Sequence, residues 1–377
     1  MFPLWPASSP QRHGWSGLSR LIRTCLVALA LSIIVFLMVG QAYTEAAPLP
    51  AGAPVFYTIT ITATYPVTYG WPCTDPNLGK TVVAEVMEPA GFYPGTLTPL
   101  LIVIGGWGDT YHTAIMDWRD EADSRGWLLA STQIRNEECP LWESPQIPPP
   151  HPLGSRAGQH DIIDLLNELQ RRYNNIDPDR IYLAGISAGG LQALVTAAKY
   201  PDVFAAVAAD KAPTNLATWY YESEKSETEK WRSAHIKKEC DDGTPASKPF
   251  EYERRSPIRY AANLSQIPVF LSRNDSTEEK TVYPSHSLKL YLMVSAYPGA
   301  DVTLYSYTDA NGHLAPPPFD VIGNWLASKT RRPTPNRIEV VTDESKPFWW
   351  LGVTQLYPYH WSQVRAEQRE DGLIQLR

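Results

Sequence analysis

The chain has 377 residues, 44% of them hydrophobic and 19% charged, with a formal net charge of −7. That is enough apolar material for one large globular domain with extras, or for two modest domains. The negative balance and the lack of any dense Lys/Arg stripe exclude a reader of phosphate backbones, so no nucleic-acid partner is expected.

The N-terminus reads as an export segment. Arg12, Arg20 and Arg23 precede an apolar run from Leu26 to Val39 with no carboxylate before it, and small residues follow at Ala42 and Ala46. This is the layout of a signal peptide. The run is shorter than the roughly 20 residues that cross a bilayer comfortably, which favours cleavage after Ala42 or Ala46 over a permanent anchor. In either case the remainder is expected outside the cytoplasm, secreted or tethered, with membrane contact only through this segment if it is kept. Cys25 lies in the apolar run, leaving Cys73, Cys139 and Cys240 for the mature chain. Three cysteines allow at most one intrachain disulfide, with three pairings open, and their spacings match no zinc pattern.

Past an Ala/Pro-rich linker from Ala46 to Pro54, Val55 to Ala63 and Thr81 to Met87 alternate β-branched and aromatic residues and predict an opening antiparallel meander. Leu100 to Ile104 is a continuous apolar run ending in Gly105-Gly106, as in a strand buried on both faces. Trp127 to Thr132 predicts the next strand. The Pro-rich stretch from Arg135 to Arg156 is long enough for a structureless loop to suggest a functional one. Ile162, Leu165, Leu166, Leu169 and Tyr173 recur at helical spacing, predicting an amphipathic helix over Asp161 to Tyr173. Strand Arg180 to Ala184, helix Ser187 to Tyr200 and strand Phe204 to Ala209 follow. Such β-α-β repetition predicts a mainly parallel twisted sheet with helices on both faces.

Lys211 to Ser265 breaks the pattern and reads as a cap-like insertion, helical near Glu222 to Lys238 with a turn at Asp241-Asp242-Gly243. Strand Ile267 to Ser272, helix Ser285 to Val294, strand Val302 to Tyr307 and helix Pro318 to Ser328 complete the core. After the linker Arg331 to Pro335, Ile338 to Val341 and Phe348 to Leu356 predict strands of a small β appendage. The expected division is an N-terminal segment over 1–46, an α/β domain over 47–329 with its insertion at 211–265, and a linker with a β-rich tail over 330–377.

The chemistry centres on Gly185-Ile186-Ser187-Ala188-Gly189-Gly190, a G-x-S-x-G between a predicted strand and a predicted helix. A serine on so sharp a turn holds strained backbone angles, and the flanking glycines remove Cβ atoms where strand and helix approach. Without that context Ser187 would be a plain helix N-cap. A hydroxyl is a weak nucleophile, so it needs a base and the base needs an orienting carboxylate, in the chain order Ser, acid, His on this fold. Of the later histidines, His235 lies in the insertion, His286 near a helix start and His360 in the tail. His313 alone falls in a loop that directly follows the last predicted core strand and precedes the last helix. Asp275, just past the strand Ile267 to Ser272, is the expected acid, with Glu278, Glu279 and Asp309 as rivals. For the oxyanion, Ala188 N–H is the expected first donor and Gly106 or Trp107 N–H the second, from the turn Gly105-Gly106-Trp107-Gly108. Trp219, Tyr220, Tyr221 and Trp231 either line a pocket or simply pack the insertion. His160-Asp161 looks like a catalytic pair, but its helix precedes the nucleophile strand, which points to packing. Trp349, Trp350 and Trp361 read as packing aromatics rather than a polymer-binding surface.

Ile176-Asp177-Pro178-Asp179-Arg180-Ile181 running into the elbow resembles the nucleophile region of prolyl-oligopeptidase-type serine peptidases and of related esterases such as dienelactone hydrolases and polyhydroxybutyrate depolymerases. Ser256-Pro257-Ile258, Ile267-Pro268-Val269, Asp275, Tyr283-Pro284 and Gly312-His313 are similar to the acid-to-histidine half of those peptidase domains. The resemblance covers about Leu100 to Ala327. It implies an α/β-hydrolase fold and the same triad of Ser187, Asp275 and His313. Ile104 stands where many relatives have a histidine, and the acid loop Arg273-Asn274-Asp275 lacks their usual glycine. The stretch before Tyr57 leaves no room for an N-terminal propeller. The expected activity is cofactor-free and metal-free hydrolysis of a small ester or peptide through an acyl-enzyme, peptidase and esterase remaining open. The alternative is a non-catalytic hydrolase-fold binding module.

Overall fold

Side chains on the central strands feed two separate cores in strict alternation, which is what a sheet covered on both faces requires. In the computed structural model, which describes residues 52–65, 80–136 and 152–376, strand β3 (Thr98–Ile104) sends Leu100, Ile102 and Ile104 to one layer and Leu101 and Val103 to the other. Strand β5 (Ile176–Ile186) does the same with Ile181 and Leu183 against Tyr182 and Ala184.

Around these run β1 (Val55–Thr62), β2 (Thr81–Glu88), β4 (Leu128–Thr132), β6 (Ala206–Asp210), β7 (Val269–Asn274) and β8 (Val302–Tyr307). The eight strands are ordered β1-β2-β4-β3-β5-β6-β7-β8. β1 pairs β2 and β2 pairs β4 antiparallel, and every pairing beyond is parallel. The expected signal segment, Cys73 and Cys139 lie outside the described residues, as does most of the Pro-rich stretch. Cys240 is a free, buried thiol, pushed up to about 12 by burial. Among the described residues no helix is long and apolar enough to cross a membrane.

One helix is absent from the sequence-based expectation. α1 (Tyr111–Ser124) buries only Ala114, Ile115, Trp118 and Ala122, a stripe too narrow to stand out among its polar residues. Its start is capped by Thr110, whose side chain accepts from Thr113 N–H at 3.1 Å. The predicted helix at 161–173 is α2 (Arg156–Arg172), beginning earlier because Ser155 caps it through Gly158 N–H at 2.9 Å. α3 (Ala188–Lys199) is buried along its whole length, so it is the central helix of the fold.

The insertion is helical but broken. α4 (Leu216–Lys225) and α5 (Lys230–Glu239) replace the single expected stretch, followed by α6 (Pro249–Arg254), a 3₁₀ turn at Pro257–Tyr260 and α7 (Ala261–Leu264). α8 (Ser285–Ser295) and α9 (Phe319–Ala327) complete the helices. In the tail, β9 (Arg337–Thr342), β12 (Ser362–Gln368) and β13 (Ile374–Leu376) form an antiparallel sheet. The expected strand Phe348 to Leu356 is instead a hairpin of β10 (Lys346–Phe348) and β11 (Leu351–Val353). Trp349 occupies its turn at φ 50°, which ends the extended run.

Burying all of α3 places the Lys199 amine at its inner end out of water, and a buried ammonium needs a counter-charge. The tail supplies it. Lys199 Nζ lies 2.6 Å from Asp343 Oδ1, and Arg156 Nη2 lies 2.7 Å from Asp343 Oδ2. Asn263 completes the seam, donating to Val341 O at 3.0 Å and accepting from Val341 N–H at 2.8 Å. Burial pushes the Asp343 carboxyl up, but Lys199 and Arg156 outweigh it and hold it well below the usual carboxylate range.

Asp343→Ala leaves Lys199 buried without its closest partner, so we expect a loss of about 3–5 kcal/mol in urea unfolding at pH 7. The folded-state value is depressed, so the stabilisation is complete above about pH 4 and fades as pH falls through the folded value. The gap between wild type and variant should shrink accordingly in acid; equal midpoints at pH 7 would show that Asp343 does not hold the tail.

Candidate active site

β5 runs directly into α3, and the single residue between them is Ser187, at φ 54° and ψ −123°. This left-handed backbone is strained for a residue with a Cβ, and strain of about 1–3 kcal/mol persists only where the surroundings dictate it. They do so here by close approach. A Cβ on Gly185 would collide with the Gly189 carbonyl, and one on Gly189 with the Gly105 and Ile104 carbonyls. Ser187 N–H donates to Asp210 O at 2.8 Å, tying the elbow to the end of β6.

His313 sits in a 3₁₀ turn at Gly312–Leu314, between β8 and α9. Its Nε2 is 2.8 Å from Ser187 Oγ. Its Nδ1 is 3.1 Å from both Glu279 Oε1 and Oε2. The Glu279 carboxylate is fully buried and is satisfied by more than the imidazole: Oε1 accepts from Thr281 N–H at 3.1 Å and Val282 N–H at 3.0 Å. The contacts therefore run from Ser187 through His313 to Glu279.

The expected acid, Asp275, is not in it. Asp275 N–H donates to Tyr307 O at 2.7 Å, prolonging the β7–β8 ladder by one residue. Its carboxylate turns outward to Arg273, 3.0 Å from Nε. The loop then folds back, and Glu279 reaches the imidazole because the chain crosses directly over Gly312. A Cβ there would strike the Glu278 carbonyl, and Gly312 has φ 58°. Of the other rivals, Glu278 pairs with Lys280 and Asp309 caps Asn311 N–H. The sequence offered Glu279 as one of several carboxylates, and no local signal ranked it first.

Around the oxyanion turn, Gly106 packs against the nucleophile: a Cβ on it would be 3.5 Å from Ser187 Cβ. Gly106 N–H is already used, donating to Asp109 Oδ2 at 2.6 Å, which argues against it as the second oxyanion donor. Ala188 begins α3, where N–H groups have no intrahelical partner. Trp107 meets the insertion edge-on, its ring centroid 6.1 Å from Trp219, 5.4 Å from Trp231 and 5.5 Å from His235. Trp219 Nε1 donates to Thr281 O at 2.8 Å, so the insertion also braces the acid loop. Trp219 and Tyr220 are buried packing residues, while Tyr221 and Trp231 reach the surface.

Two other histidines that the sequence singles out are occupied elsewhere. His286 Nδ1 accepts from Thr214 N–H at 3.1 Å and its Nε2 meets Glu222 at 2.9 Å. His160 and Asp161 do not pair. Asp161 receives Arg135, and burial pushes its carboxyl up to about 6 against the pull of that guanidinium. Among the described residues no three His, Cys, Asp or Glu side chains are arranged to hold a metal ion.

Residues 155–330 match the prolyl oligopeptidase family. Just under half of the chain is similar to a domain of that family. The match begins at the cap of α2 and ends just past α9, so it encloses Ser187, Glu279 and His313. The fold recurs in the acylaminoacyl peptidase of Pyrococcus horikoshii, at 16% identity and TM-score 0.55, covering 78% of this chain and 44% of that one. Dipeptidyl peptidase 4 of Porphyromonas gingivalis matches at 16% identity and TM-score 0.55, covering 74% of this chain and 36% of that one. The esterase of Pyrobaculum calidifontis matches at 18% identity and TM-score 0.51, covering 74% of this chain and 87% of that one. The chain thus spans under half the length of the two peptidases. No curated protein matches the sequence. At these identities the likeness is one of fold, the α/β-hydrolase fold.

Glu279→Gln should lower kcat on an activated ester by about 10³- to 10⁴-fold, because the amide no longer fixes the imidazole tautomer. Asp275→Asn, which loses only an exposed pair, should stay within about twofold of wild type. Steady-state kinetics of the two variants side by side settle which carboxylate serves; the reverse ranking would restore Asp275.

Proposed function

We propose that the protein hydrolyses an ester or amide through an acyl-enzyme on Ser187, with His313 as base and Glu279 as orienting acid. The observation that carries this is the unbroken contact from Ser187 Oγ through both ring nitrogens of His313 to a buried carboxylate. Glu279 accepts a hydrogen bond from Nδ1–H, which holds the proton on that nitrogen and leaves the Nε2 lone pair facing the hydroxyl. Oγ attacks the carbonyl carbon as its proton passes to Nε2, and the negative charge goes to the carbonyl oxygen. Ala188 N–H and Trp107 N–H are the donors assigned to that oxygen, Gly106 being engaged by Asp109. The imidazolium returns its proton to the departing alcohol or amine, and water, activated in the same way, releases the acid and regenerates Ser187.

Two apolar side chains adjoin these residues: Leu314, which follows His313 in the chain, at 90% exposure, and Trp231, edge-on to Trp107, at 39%. They suit a substrate with an apolar group flanking the scissile bond. A short peptide and a small carboxylic ester both meet that description, in keeping with peptidases and an esterase among the structures that share the fold. Export through the N-terminal segment, cleaved or retained, completes the proposal and rests on the charge and length pattern of residues 1–46.

A fluorophosphonate probe tests the chemistry. Wild type should be labelled, with label lost in Ser187→Ala and reduced by at least about 10³-fold in rate in His313→Ala. Labelling of Ser187→Ala at the wild-type rate would move the nucleophile elsewhere, and an unlabelled wild type would leave a binding module. Acyl esters and aminoacyl amides offered in parallel then divide esterase from peptidase by their kcat/KM values.

A further inference from the structure

A second charged cluster lies under the site. β6 ends at Asp210, one strand over from Ser187, and the next residue, Lys211, turns into the left-handed region at φ 45°. Lys211 N–H donates to Ser272 O at 3.0 Å, which fixes this turn to β7. The side chain is directed beneath the strand ends and is 1% exposed. An ammonium has three protons to place, and each finds an acceptor: Asp210 Oδ2 at 2.6 Å, Tyr307 Oη at 2.6 Å and the Ala315 carbonyl at 2.8 Å. Tyr307 in turn donates to Asp210 Oδ1 at 3.2 Å, as does Ser272 Oγ at 2.7 Å. Burial and the Asp210 charge push the Tyr307 phenol far up, so it remains a neutral donor.

The third acceptor is the informative one. Ala315 is two residues past His313. The other side of the same turn is held by Asn274, whose Nδ2 donates to Asp309 O at 2.9 Å and Gly312 O at 2.8 Å, and whose Oδ1 accepts from Asp309 N–H at 3.0 Å. The short turn that carries the imidazole is thus gripped before and after. The grip after it is a buried charge.

We infer that Lys211 is a positioning residue for His313, an inference that rests on the acyl-transfer role proposed above. Its ammonium, neutralised by Asp210, anchors the Ala315 carbonyl and so sets the distance from Nε2 to Ser187 Oγ. Hydrolysis has no other use for a fully buried lysine at this point. A merely structural ion pair has no need to bond the backbone of the histidine turn. A displacement of about 1 Å at such a site costs on the order of 100-fold in rate.

The test uses Lys211→Met and the double variant Asp210→Asn/Lys211→Met, the second removing both charges together so that neither is left buried alone. The expected result for both is a fall in kcat and in fluorophosphonate labelling rate on the order of 10- to 100-fold, with KM within about twofold of wild type. Thermal unfolding of the double variant should remain near wild type, which separates mispositioning from loss of fold. A folded double variant with wild-type kcat and labelling overturns the inference, as does a double variant that cannot reach the native state, since Lys211 would then be purely structural. Ser187→Ala in the same assay keeps the two levels apart. Its inactivity beside fully active Lys211 variants sinks Lys211 alone, whereas an unlabelled wild type sinks the acyl-transfer role and the inference with it.

Discussion

The close approach of α3 to the ends of β3 and β5 is the constraint from which the site follows. Where Gly185, Gly189 and Gly105 meet, no Cβ fits, and the backbone between strand and helix is forced into the left-handed conformation of Ser187. That strain lifts one hydroxyl out of the sheet edge and aims the first turn of a buried helix at the space beside it. The same packing decides what lies further off. A helix buried on every side has to neutralise Lys199 at its far end, and it does so with Asp343 of the tail. The tail strands are therefore tied to the helix that carries the nucleophile rather than hung from the domain.

Much of this was legible in the sequence because it is written in local pattern. Continuous apolar runs near Leu100 and Phe204 mark strands buried on both faces, and the elbow glycines mark a close approach whatever the surrounding fold. Topology alone singles out His313, since it is the one histidine in the loop between the last core strand and the last helix. The losses have a common physical form. Asp275 is adjacent to β7 in sequence, but the β7–β8 ladder extends through its own N–H, so its carboxylate leaves the sheet edge on the wrong side. The imidazole is reached instead by Glu279, through a loop whose return depends on the crossing over Gly312. Contacts between two loops leave no periodicity to read. α1 was hidden for a related reason: its buried stripe is four residues wide in a polar segment, and only the tertiary contact of Trp118 shows which face is inside.

The insertion connects to both halves of the site. Trp107 of the oxyanion turn packs against Trp219, Trp231 and His235, while Trp219 bonds the acid loop at Thr281. The aromatic residues that the sequence left divided between pocket and packing are divided in the structure as well. Trp219 and Tyr220 pack, and Trp231 and Tyr221 face outward. A change in the position of α4 and α5 is thereby coupled mechanically to the Gly105–Gly108 turn and to the loop that carries Glu279.

A histidine on a carboxylate does not by itself make a catalytic pair, and this protein contains the comparison. His286 and Glu222 meet at 2.9 Å, a shorter contact than the 3.1 Å between His313 and Glu279. The difference lies in which nitrogen the carboxylate takes. At His286 the carboxylate faces Nε2, and Nδ1 accepts from a backbone amide, so both lone pair and proton are spent on structure. At His313 the carboxylate faces Nδ1, and the lone pair of Nε2 is left to a hydroxyl held on a strained turn. Proton transfer becomes possible only in the second arrangement, because only there does the free basic nitrogen meet a group that gains nucleophilicity by losing its proton. The catalytic assignment therefore depends on the ring's orientation and on the strain at residue 187 together, neither of which is a property of the His–carboxylate contact alone.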